Sequence, residues 1–160
     1  MAMVAPAMNP EIQALMKQQR RNKWDKIIKS FVKDYLLNAQ NAGGFSATSV
    51  PQGTTVAQNI SELMKKPRKV GVTVPIKMAK EIATTLMASF QSVNQTVIIT
   101  AVGMVQLQKD LNDMMKDPTK SKMKMANKLV KALDTYAKSC NVGGYIPGSP
   151  PVPFPPSPLV

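Results

Sequence analysis

Apolar positions recur at helical spacing along most of this chain, and the places where that spacing stops divide it into elements. Asn9-Pro10-Glu11 has the form of a helix start: a capping asparagine, a proline at the first helical position and an acid near the positive end of the dipole. A helix is predicted from there to about Ala42, where Gly43-Gly44 supplies a left-handed cap. Its second half is amphipathic, with Trp24, Ile27, Ile28, Phe31, Val32, Tyr35 and Leu36 at i, i+3, i+4 spacing. Its first half carries only Ile12, Leu15 and Met16. Phe45 to Thr55 reads as a loop. A short helix follows over about Val56 to Lys66, and Pro67, Gly71 and Pro75 break the pattern after it.

Thr73 or Val74 followed by Pro75 starts the next helix, with Ile76, Ala79, Ile82, Leu86, Phe90 and Val93 on one stripe. The period continues through Val97, Met104, Leu107, Leu111 and Met114, so one helix to Lys116 fits. A break at Ser92 to Thr96, where turn and capping residues cluster, fits too, and the rarity of forty-residue helices in compact domains favours it. Asp117-Pro118-Thr119 ends the segment. A last helix is predicted over about Lys120 to Cys140, with Met123, Ala126, Leu129, Val130, Leu133, Tyr136 and Ala137 facing a core. Its other face is lysine-rich and reads as a solvated surface. From Val142 to Val160 the chain is rich in proline, which favours extended polyproline II. No strand pair is evident. The expectation is an all-α protein in three parts: an arm with a long basic N-terminal helix (1–44), an antiparallel helical bundle (45–140) and an extended proline-rich C-terminal tail (141–160).

Charge changes the picture most. The 160 residues carry a net charge of +12 and no histidine. Lys17, Arg20, Arg21, Lys23, Lys26, Lys29 and Lys33 crowd one stretch whose single acid is Asp25. Between Lys17 and Lys23 there is no apolar residue, so a helix turn there buries nothing in its own core. A polyanion is the natural neighbour for it. Lys65, Lys66, Arg68 and Lys69 form a second basic cluster. The stretch from Lys17 to Lys33 covers about 25 Å of helix, alongside which a DNA duplex places about fifteen phosphates. Two such helices from two subunits would neutralise most of them. Gln18, Gln19 and Asn22 add donors for phosphate or sugar oxygens. Trp24 is the lone aromatic in the basic stretch, so gripping a duplex is favoured over stacking on single strands.

Candidate chemistry is sparse. No GxSxG, HExxH, P-loop or Cys/His set occurs. Asp110 and Asp113 beside Lys109 read as a solvated face, and Gly43-Gly44 and Gly143-Gly144 as helix ends. The single cysteine, Cys140, allows no intrachain disulfide. No enzyme activity, cofactor, metal or small-molecule substrate is expected. The N-terminal residues lack the charged start and long apolar run of a signal peptide, and Val97 to Val105 is too short to span a bilayer. Charged residues are 19% of the chain. That is below the usual quarter or so, which suggests that much surface is buried against other subunits.

The layout of a long basic N-terminal arm, a helical bundle and extended ends resembles the major capsid proteins of filamentous and rod-shaped archaeal viruses with linear double-stranded DNA. The resemblance implies dimers, of this chain or with a paralogous capsid protein, polymerised into a helical filament in the virion. It implies that the N-terminal helices wrap the genome, hold it in A-form and exclude water. By position, Lys17, Arg20, Arg21, Lys23, Lys26, Lys29 and Lys33 match that wrapping arm. The tail reads as a strap across a neighbouring subunit or toward an envelope. Two other readings stay open: a nucleoid-type DNA-binding dimer, and an adaptor whose proline tail docks on a partner while its basic helix lies on an anionic membrane.

Overall fold

A computed structural model of the chain describes residues 5–16, 23–38, 73–90, 95–98, 101–116, 121–146 and 148–160. The described part is mostly helical with a small antiparallel sheet, so all-α is close but incomplete. Helix α1 spans Ala5–Met16, α2 Lys23–Ser30, α3 Thr73–Ser89, α4 Ala101–Met115 and α5 Lys122–Ser139. Strands β1 (Gln95–Ile98), β2 (Asn141–Ile146) and β3 (Val152–Pro158) form one sheet in the order β1-β2-β3. The short helix expected over Val56 to Lys66 and the loop before it lie outside the described residues.

The single long helix from Asn9 to Ala42 does not form. In a straight helix, Glu11 and Ser30 would be about 28 Å apart. Here the Ser30 hydroxyl lies 3.4 Å from a Glu11 carboxylate oxygen. Helices α1 and α2 therefore pack side by side, and the expected arm is a hairpin. The apolar stripes explain the outcome. Met8, Ile12 and Met16 of α1 are buried at i, i+4, i+8, and Ile27, Ile28, Phe31, Val32, Tyr35 and Leu36 are buried after Lys23. Each stripe is too narrow to bury itself, and each covers the other and α5. Burial also moves the start of α1. Pro10 lies inside the helix rather than at its first position. Its ring removes one hydrogen bond to Pro6, a cost offset by seating Met8 in the core.

Past Ser30 the helix widens into a π-turn over Phe31–Tyr35 and ends in a 3-10 turn over Leu36–Asn38. The Leu36 amide reaches the carbonyls of both Phe31 and Val32. The wider turn stacks the Phe31 and Tyr35 rings, with centroids 5.8 Å apart and planes at 21°.

Between α3 and α4 the chain breaks, as one of the two readings had it, but the break holds a strand. Strand β1 pairs antiparallel with β2, Gln95 opposite Gly144 and Ile98 opposite Asn141. Helix α5 starts where the Ser121 hydroxyl accepts the Lys124 amide. Its core face is as expected except for Met123, which is half exposed. Ala126, Leu129, Val130, Leu133, Tyr136 and Ala137 meet Leu107, Leu111 and Met114 of α4 and the α1–α2 hairpin in one core.

The proline-rich tail folds back on its own chain. Strand β3 pairs with β2, and Leu159 beyond it is buried. Four of its seven residues are proline, leaving amides on Val152, Phe154 and Ser157. Those three stand opposite Ile146, Gly144 and Val142. Hydrogen-bonded pairs alternate along an antiparallel ladder, so this register places Pro153 and Pro158 where the amide would point to the open edge. One extra residue enters between Phe154 and Ser157, opposite Gly143. A Cβ on Gly143 would stand 3.0 Å from Pro156 Cγ and its backbone nitrogen. Only glycine lets the bulge close.

Candidate nucleic-acid interface

The basic residues singled out by the sequence fall into two sets. Lys17, Arg20, Arg21, Lys65, Lys66, Arg68 and Lys69 lie outside the described residues. Lys23 opens α2, and Lys26, Lys29 and Lys33 follow along it. The 3- and 4-residue spacing of Lys26, Lys29 and Lys33 places these three opposite the buried Ile28, Phe31 and Tyr35. Lys29 and Lys33 are exposed and Lys26 is partly so.

Helix α1 lies between α2 and α5. One edge of it meets α2 through Glu11 and Ser30. The other edge meets α5, where the Gln13 amide donates to the Asn127 side-chain oxygen at 2.8 Å. Its outward residues, Pro10 and Ala14, are exposed and uncharged. Two lysine-bearing helices thus flank one whose single charged side chain is Glu11. On α5, Lys124, Lys128, Lys131 and Lys138 are exposed at i, i+4, i+7 and i+14. That stripe runs about 21 Å, a length over which a duplex presents about twelve phosphates. Sequence reasoning assigned this face to solvent. Its signal was the regular lysine spacing opposite the apolar stripe, which does not by itself separate solvation from ligand binding.

Acids interrupt both faces. The Ser30 hydroxyl donates to Asp34 Oδ2 at 2.8 Å and also approaches Glu11. The Glu11 pKa rises above its ordinary 4.5. Its hydrogen bond with Asp34 is the main cause, followed by burial and the Asp34 charge, with Ser30 and Lys33 pulling the other way. On α5, Lys138 pairs with Asp134 at 3.0 Å. Between α4 and α5, Asp110 and Asp113 share an open groove of about 350 Å³ with Lys128 and Lys131. The acids read as plainly solvated thus face lysines of the next helix.

Among the described residues, no group of three or more His, Cys, Asp or Glu is placed to hold a metal ion. No described helix is long and apolar enough to cross a membrane. No known protein family, curated protein or solved structure matches this chain.

Proposed function

We propose that this chain is a structural protein that packages nucleic acid, of the kind that forms the capsids of filamentous and rod-shaped archaeal viruses. It grips the phosphate backbone of double-stranded DNA and polymerises, with itself or a paralogue, into a helical filament of a virion. The helices after the arm serve as the packing body, read as an antiparallel bundle. The observation that carries this is the pair of lysine faces, on α2 and α5, held on either side of α1, whose outward residues Pro10 and Ala14 are uncharged. Such a surface suits backbone neutralisation, which needs charge density rather than base readout. The hairpin changes the expected mode of contact. In this monomer the duplex would lie along helix flanks rather than be encircled by one straight arm.

The test is the salt dependence of duplex binding. Each phosphate contact contributes about 0.9 to the slope of log K against log salt. Replacing Lys124, Lys128 and Lys131 by Gln, or Lys26, Lys29 and Lys33 by Gln, should each flatten the slope by about two to three. Slopes unchanged in both variants sink this interface. The folded-back hairpin also favours a second reading, a nucleoid-type protein acting as a discrete dimer. Electron microscopy of the DNA complex separates the two: filaments of constant diameter support packaging, and isolated dimers support the alternative.

A further inference from the structure

Two exposed features of this fold have the shapes and chemistry to fit one another. The first is the tip of the β2–β3 hairpin. There Ile146 stands opposite Val152 and Tyr145 opposite Pro153. Tyr145, Ile146 and Val152 are all exposed, the tyrosine by 54%, so both faces of the ribbon are apolar and open. From Ser139 to Val160 there is no charged side chain, in a protein of net charge +12. The second is a groove of about 260 Å³ between the start of α3 and the outer face of α4. Pro75 and Ile76 form one wall and Val105 the other, with Gln108, Lys109 and Asn112 along its length. Val102 lies one turn before Val105 on α4, and the two valines are 80% and 66% exposed. The side-chain oxygen of Asn112 is buried there without a hydrogen-bond partner, an unfavourable state that a donor would relieve.

We propose that the hairpin tip of one copy docks into the α3–α4 groove of the next. Resting on the packaging role above, this identifies the contact between copies. A two-faced apolar tip fits between two apolar walls. The tip brings no charge toward a strongly basic neighbour. The Tyr145 ring is placed to cover the Lys109 ammonium, and its hydroxyl supplies the donor that Asn112 lacks once the carboxamide turns to meet it. Tip and groove are different surfaces, so the contact is heterologous. Each copy keeps one tip and one groove free, and growth is open-ended.

The test uses the full chain without nucleic acid, in high salt, by sedimentation velocity across a concentration series. The wild type should self-associate. Tyr145→Asp and Val105→Asp should each be monomeric while keeping the wild-type helical circular dichroism. An equimolar mixture of the two should form a dimer and stop, because it holds one intact tip and one intact groove. Tyr145→Phe should weaken association about fivefold, as loss of one hydrogen bond would. A wild type that stays monomeric, variants that associate normally, or a mixture that stays monomeric would each overturn the proposal. The salt slope of DNA binding is measured separately on Tyr145→Asp. A normal slope on this variant with association retained fails the docking contact alone, and a flat slope on both this variant and a self-associating wild type fails the packaging reading alone.

Discussion

The Tyr35 hydroxyl donates to the Asp134 carboxylate, tying the π-turn after α2 to the middle of α5 across 99 positions of sequence. Tyr35 is fully buried, and burial, then Asp134, raises its pKa, so the hydroxyl stays a donor throughout the accessible pH range. Asp134 keeps a second partner in Lys138. Removing either end therefore has unequal effects. Tyr35→Phe should cost about 1 kcal/mol, since Asp134 still holds Lys138 and meets water. Asp134→Ala should cost more, up to about 3 kcal/mol, because it leaves the buried hydroxyl only the long 3.5 Å contact to the residue 134 carbonyl. Urea midpoints of the two variants check the order.

The Glu11–Asp34 pair gives the α1–α2 hairpin a pH dependence of definite sign. A carboxyl whose folded pKa is raised holds its proton more tightly when folded. Its contribution is fully present below 4.5, the ordinary value, and is lost as pH rises through the raised one. Glu11→Gln should therefore melt higher than wild type at neutral pH, by an amount of order 1 kcal/mol or less for so exposed a group. The gap should close in acid. A gap of the opposite sign at pH 7 would contradict the shared-proton geometry.

Gly143 tests the tail. Alanine there pushes a methyl group against the Pro156 backbone, an overpacking cost of about 1–3 kcal/mol concentrated on β3. Gly143→Ala should speed hydrogen exchange at the β2 amides that face β3 and loosen Leu159. The helices should keep their protection. Uniform loss of protection would instead mean that the sheet and helices unfold as one unit.

Cys140 reports global unfolding. It is fully buried, and desolvation pushes its pKa up to about 11. Alkylation of the native protein at pH 8 should be slow and should track the urea unfolding curve. Rapid labelling without denaturant would show that the end of α5 opens locally.

Much of the helical content was legible because burial acts through spacing. The core faces of α2 and α5 follow the sequence stripe almost residue for residue, and the polar break after α3 marked a real boundary. What was not legible depended on distant partners. A helix predicted from Asn9 to Ala42, with no apolar residue between Lys17 and Lys23, does not show that the chain doubles back, since both outcomes leave the two stripes unchanged. Met8 lies before the predicted helix start at Asn9, and its place in the core shows only once the helices pack. The sheet was hidden for a related reason. Strand β1 is four residues long, and β3 has the composition of a polyproline segment. What makes β3 a strand is the match between its three non-proline amides and alternate positions of β2. On the candidate interface, the sequence supplied the lysines of α2 and their sign. It singled out the lysine face of α5 and assigned it to solvent; only packing shows that α1 leaves both sets open on its flanks.

The prolines of β3 have one more effect. A margin lacking amides cannot complete a ladder with another strand, so this ribbon is blocked on its β3 side, and among the described residues its other outer strand is Gln95–Ile98. Two molecules joined through that strand would form a sheet capped by prolines at both ends. Runaway cross-β stacking is thereby closed to this sheet, and any endless assembly has to grow through some other part of the molecule.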